Sequence, residues 1–226
     1  MSIWSYSLPD LFAKGGFMMW PLLGCSVLVA SLVLDRLWVH ALLAMDVSRF
    51  VRSLREFLGS GQRGKALELC RKKRHPAARL AVVYLEHENE GDAERGRLVE
   101  REGILLLASA QKYIGDLAVL SKIATLLGLL GTVTGLAATF RELEHIHGAA
   151  HIGTLASGIW EALITTVFGL IIAIPAVAAC HYFQNQVNKM ARWMGLVVSH
   201  LDSILQHNTP AESHAPHVDS VLVSEV

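Results

Sequence analysis

Three uninterrupted apolar runs constrain this chain more than any other feature. They are FMMWPLLGCSVLVASLVL (17–34), IATLLGLLGTVTGLAATF (123–140) and LITTVFGLIIAIPAVAAC (163–180). Each has 18 residues. A helix rises about 1.5 Å per residue, so each run covers about 27 Å, enough to cross a hydrocarbon core. The third has a helical lead-in from Gly158. The first is not read as a cleaved leader. Only Lys14 precedes it, Asp35 and Arg36 follow directly, and there is no small-residue cleavage pattern. Asp35 and Arg36 are expected to stop that span at the interface as an ion pair.

The composition agrees. Of 226 residues, 52% are hydrophobic, more than soluble domains average. The 20 basic and 20 acidic residues cancel, which argues against a nucleic-acid binder. Their placement carries more information. Of the 20 Lys and Arg, 14 fall within 41–113, whereas Lys14 and Arg141 are alone in 1–16 and 141–157. Basic residues stay on the cytoplasmic side. The expected layout is therefore an external N-terminal segment (1–16), a first span (17–40), a cytoplasmic helical domain (41–113), a second span (114–140), an external loop (141–157) and a third span (158–183). A cytoplasmic helix (184–207) and a disordered tail (208–226) complete it. The fold class is an all-α membrane protein whose second and third spans have long cytoplasmic extensions. From Asp92 to about Phe140 the helical pattern hardly breaks, so one long helix is expected there.

Polar residues inside lipid are where function is sought. In the second span Ser121, Thr125, Gly128, Thr132, Gly135 and Thr139 recur at steps of 4, 3, 4, 3 and 4, one helix face. In the third, Gly158, Ala162, Thr166, Gly169, Ala173, Ala176 and Cys180 do the same. Two readings fit: tight helix packing alone, or packing beside a wetted path. Glu161 near the start of the third span also has two readings. It snorkels to the interface or caps the helix start, or it borders an ion path. Thr165, one turn on, is within reach of it. Pro175 removes a helix hydrogen bond and is expected to kink the third span.

Other features are bland. Cys25, Cys70 and Cys180 form no CxxC pair. His145, His147 and His151 sit in a short loop and read as solvated, with no metal expected. The basic stretch CRKKRH (70–75) faces water or anionic headgroups. There is no P-loop, HExxH or GxSxG motif, so neither an enzyme nor a cofactor is expected.

LLGLLGTVTGL (126–136), followed after a short loop by GIWEALITTVFGLIIAIPAV (158–177), resembles the signature of the MotA/TolQ/ExbB proton-channel family. The likeness covers about 118–183. The three-span layout and the DRLW after the first span resemble the ExbB/TolQ-like branch, since MotA-type stators have four spans. The resemblance implies a homopentamer in the inner membrane whose second and third spans line a pore. It implies an ExbD/TolR-like single-span dimer inside the ring, whose aspartate carries the proton, and a TonB/TolA-like protein that transmits the work. A related envelope or gliding motor, or a structural scaffold, is the alternative. The ion-pathway residues so implied are Thr132, Thr166 and Glu161, with Thr165 an extra hydroxyl. Gly128, Gly131, Gly135, Gly169 and Pro175 would set helix packing and pore shape. The family often has Tyr-Asn where this chain has Cys180-His181.

Overall fold

The computed structural model describes residues 16–42, 46–145 and 152–208. Among these, every regular element is an α-helix. They are α1 (Met19–Leu42), α2 (Val47–Gly59), α3 (Arg63–Lys72), α4 (Pro76–Glu86), α5 (Asp92–Gln111), α6 (Ile114–His145) and α7 (Ile152–Asn208). Stretches within Met19–Val39, Asp92–Leu143 and Leu155–Ile204 are long and apolar enough to cross a membrane. A helix is what such runs form, because lipid offers no partner for a backbone N–H or C=O and a helix satisfies both internally. The chain is an all-α, multi-pass membrane protein. The most apolar stretches of the three are only 22%, 22% and 28% buried within the chain. Most of their side chains are therefore left for lipid or further helices to cover.

The chain divides into two compact units. One comprises Met1–Ala44 and Ile104–Ala191, the other Met45–Gly103 and Arg192–Val226. In the first, α1 packs on α6. Val29, Ile114, Leu117, Ala176, Phe183 and Val187 form its core, drawing on α1, α6 and α7. One expectation changes here. The helical pattern from Asp92 onward does break, at Lys112 and Tyr113, between α5 and α6. Tyr113 has φ +66, a left-handed conformation that ends one helix and starts the next. The Arg36 guanidinium lies 5.0 Å from the Tyr113 ring centroid and the Lys112 ammonium 4.7 Å. The apolar period hid the break because Leu107 and Ala110 before it and Ile114 and Leu117 after it meet the same core. Asp35 and Arg36 lie within the first helix, which runs on to Leu42, close to the expected 17–40 span. They do pair, at 3.4 Å, but Arg36 is only 7% exposed and lies against Tyr113 rather than in open water.

The expected 141–157 loop is mostly helix, since α6 reaches His145 and α7 begins at Ile152. His147, His151 and the 209–226 tail lie outside the described residues. The third span and the helix after it are one element, α7, of 57 residues.

The second unit is a small helical assembly with its own core. Asp46 caps α2, its carboxylate accepting from Arg49 N–H at 3.2 Å. Gly61, at φ +72, turns the chain from α2 into α3. Phe50, Leu54 and Leu58 of α2, Ala66 and Cys70 of α3, and Leu80 and Tyr84 of α4 are buried. Met194, Val197 and Leu201 of α7 are buried as well. Burial pushes the Cys70 thiol up to about 12, so it is no nucleophile at neutral pH.

Tyr84, 2% exposed, donates its hydroxyl to Asp202, and Arg95 stacks over its ring at 4.8 Å. Burial, then Asp202, raise the Tyr84 pKa. Tyr84→Phe leaves the ring packed but removes the donor, at a cost of about 1–2 kcal/mol. Thermal unfolding of the variant measures this, and an unchanged midpoint would show that Asp202 is satisfied by water alone.

His75 caps α4 beside Pro76, its Nδ1 accepting from Ala77 N–H at 3.2 Å. Burial lowers its pKa, so the folded state disfavours the imidazolium, which cannot accept that bond. The unfolded state then binds more protons. The stabilisation is fully present above the unfolded value of about 6.5 and is lost as pH falls through the folded one. His75→Asn keeps a capping oxygen without this titration. Its unfolding midpoint is expected to fall less between pH 7 and 5 than that of the parent chain.

Candidate functional site

The two small-residue stripes meet each other. Gly128 lies against Thr166 and Gly169, Gly131 against Thr165, Gly135 against Ala162, and Gly158 against Thr139. The residue numbers run in opposite directions, so α6 and α7 are antiparallel. The approach is close enough to exclude side chains. A Cβ on Gly128 would stand 3.2 Å from Thr166 Cα and 3.3 Å from the Thr165 carbonyl oxygen. Such contact is how helices hold together in lipid, where no hydrophobic driving force acts between them. The α6 contact line runs through Ser121, Ala124, Gly128, Gly131 and Thr139, all buried. It is rotated slightly from the expected stripe, which leaves Thr125 exposed and Thr132 at the edge, part exposed.

The hydroxyls of Thr132, Thr165 and Thr166 each have a backbone acceptor. Thr166 donates across the interface to Gly128 O at 2.8 Å. Thr165 donates to Ala162 O at 2.7 Å and is 2% exposed. It does not reach for Glu161, as the spacing had suggested. Thr132 donates to Leu129 O at 2.6 Å. Of the adjacent pair, then, Thr165 is enclosed against Gly131, and Thr166 ties the two helices at the interface edge.

Helical geometry separates these groups into two sides. Glu161 and Thr166 are five residues apart, about 140° around α7, whereas Glu161 and Thr165 differ by about 40°. Thr132 is one turn past Gly128, on the side where Thr166 makes its bond. Glu161 lies on the other side, in a cleft of about 310 Å³ lined by Gly16, Phe17, Met18, Gly131, Thr134, Gly135, Ala138, Glu161 and Thr165. The expected site residues therefore do not converge on one point. Thr132 and Thr166 flank one edge of the helix pair, and Glu161 and Thr165 the other. Pro175 is exposed, and α7 continues through it.

The matches to known proteins include this helix pair. Residues 72–195, more than half of the chain, match the MotA/TolQ/ExbB proton channel family. The chain belongs to that family. It is 30% identical over 227 residues to "Biopolymer transport protein exbB1" of Vibrio cholerae, covering 92% of this chain and 97% of that one. It is 32% identical over 226 residues to "Putative biopolymer transport protein ExbB-like 1" of Synechocystis sp., covering 97% and 87%. "Tol-Pal system protein TolQ" of Haemophilus influenzae is 33% identical over 111 residues, 49% and 47% of the two chains. The family is one of proton channels, not of enzymes.

Thr134 and Gly16 were not singled out from the sequence. Thr134 falls off the small-residue stripe, two residues from Thr132 and about 160° around the helix from it. Gly16 precedes the first span, and only the fold brings it to Glu161. A Cβ there would stand 2.6 Å from Glu161 Oε1, and its φ is +64. The Gly15-Gly16 pair ahead of an apolar run was the one available signal.

Proposed function

We propose that the chain is the proton-channel subunit of an inner-membrane motor that converts proton motive force into mechanical work on the envelope. The basic 41–113 segment lies in the cytoplasm, with the N-terminus and the 141–157 stretch outside. Five copies form a ring whose α6 and α7 face a central pore. An ExbD/TolR-like single-span dimer occupies the pore, and its aspartate carries the proton. The acids at or near this chain's own spans are Asp35, Asp116, Glu142, Glu144 and Glu161, all toward the edges, so the mid-membrane carrier must come from such a partner. Thr132 and Thr166 hydrate that aspartate on the pore side, and Pro175 shapes the pore helix. Protonation removes the aspartate's charge and lets the inner dimer turn, and a TonB/TolA-like protein carries the work outward. The relatives' names, biopolymer transport and Tol-Pal proteins, support a process of one of those two types, with a related envelope or gliding motor as the alternative.

The observation that carries this reading is the glycine-lined α6–α7 pair, which bears the family's motif and sets Thr132 and Thr166 on one edge. One observation favours a purely structural scaffold instead: each of these hydroxyls already serves a backbone carbonyl. The two readings part in one experiment. The complex, purified with its single-span partner, is weighed by native mass spectrometry and assayed for proton flux in vesicles under an imposed gradient. Five copies holding two of the partner, with flux lost in Thr132→Val, are expected. A ring without a second membrane protein, and with no flux, returns the chain to a scaffold.

A further inference from the structure

The cleft beside Glu161 is set apart from the pore-side threonines, and that separation needs an explanation. We propose that it is a water-holding vestibule through which protons from outside reach Glu161, and that Thr134 is the positioning residue that orders its water. The proposal rests on the proton-channel reading above.

Three features of the cleft support it. Its volume, about 310 Å³, has room for several waters. Its polar groups are complementary for water. The Thr134 hydroxyl donates to Leu130 O at 2.9 Å, with Gly131 O at 3.2 Å, so its one proton is spent on its own helix. Its lone pairs remain to accept. The Glu161 carboxylate, when ionised, only accepts. A water between them donates one proton to each, which fixes its orientation and leaves its own lone pairs for the next water outward. That is the arrangement a proton relay toward a carboxylate requires.

The third feature is the walls. Gly131, Gly135 and Ala138 of α6 present little or no side chain to the cleft, and Gly16 presents none beside Glu161 Oε1. Thr165 closes the floor with its hydroxyl committed to Ala162 O. Phe17 and Met18 supply the apolar side. A carboxylate in a lipid-facing apolar setting is costly to keep ionised, and a hydrated recess meets that cost.

The test uses the complex with its native partner, in vesicles. Thr134→Cys is treated from outside with a small charged methanethiosulfonate, next to Val133→Cys, which lies outside the cleft. Thr134→Cys is expected to react about tenfold faster or more, and its modification, which fills the cleft with a charged group, to cut the proton flux that remains. Thr134→Val is expected to lower flux and Thr134→Ser, which restores the hydroxyl, to recover it. A Thr134→Cys thiol that reacts only with a lipid-soluble reagent means that lipid or another helix fills the cleft, and overturns the proposal. So does modification or Thr134→Val without effect on flux. Flux in the parent complex tells the two failures apart. With parent flux present, an indifferent Thr134 removes only the vestibule; with none, the channel reading falls and takes the vestibule with it.

Discussion

A single methyl added at Gly169 lowers the thermal unfolding midpoint of the solubilised protein by roughly 3–10 °C, on the usual cost of overpacking and the usual slope for a chain this size. The same methyl at Gly24 leaves it unchanged or slightly higher. Both glycines sit inside membrane helices, and by helix propensity alone both changes to alanine should stabilise, by up to about 1 kcal/mol. What differs is what the new atom meets. A Cβ on Gly24 has nothing within 4 Å. A Cβ on Gly169 meets the Ala124 carbonyl oxygen at 2.8 Å, Gly128 Cα at 3.0 Å and Gly128 N at 3.3 Å. All three are backbone atoms, so no rotamer change relieves the clash and the helices must part. Parting them weakens the Thr166 bond to Gly128 and opens the Gly131 and Gly135 contacts in turn. Between helices in lipid, close packing is the main attraction, so nothing offsets the loss. Equal behaviour of the two variants would mean that α6 and α7 are not in contact at this level.

How far this could be read in advance depends on the range of the interaction. The three spans followed from run length alone, because lipid leaves a long apolar segment one backbone solution. The pairing of the stripes was half legible. Steps of 4 and 3 put Gly128, Gly135, Ala162 and Gly169 on their faces, but a stripe does not say what it faces. Which of Thr165 and Thr166 is enclosed depends on helix rotation and register, and a single-helix period carries neither. The same holds for Glu161. Its spacing from Thr165 suggested a bond, yet the Thr165 hydroxyl finds a carbonyl of its own helix closer at hand. The break at Tyr113 was invisible because the apolar period runs through it, and what holds that tyrosine includes Arg36 from a different helix. Tyr84 and Asp202, 118 residues apart, meet by tertiary packing alone.

Thr166→Val is expected to reduce proton flux more than tenfold while moving the unfolding midpoint by only a few degrees. The structural cost is small for a specific reason. The Gly128 carbonyl that accepts from Thr166 is also an internal helix carbonyl, with the Thr132 N–H as its regular partner one turn on. Removing the Thr166 hydroxyl leaves no orphaned acceptor, and valine keeps nearly the same shape against Gly128. Interhelix hydrogen bonds of this kind are worth about 0.6 kcal/mol on average and at most about 1.7. At roughly 2–4 °C per kcal/mol, the midpoint falls by no more than about 7 °C. A large functional loss must then come from the missing hydroxyl and not from a damaged fold, and Thr166→Ser should restore flux. If flux instead tracks the midpoint, with Thr166→Val losing a little of each, the hydroxyl is packing material and the scaffold reading gains. The separation works because the protein places this hydroxyl on an acceptor that does not need it. Such a placement adds little to stability, and leaves its oxygen lone pairs at the edge of the helix pair where a neighbouring proton carrier can use them.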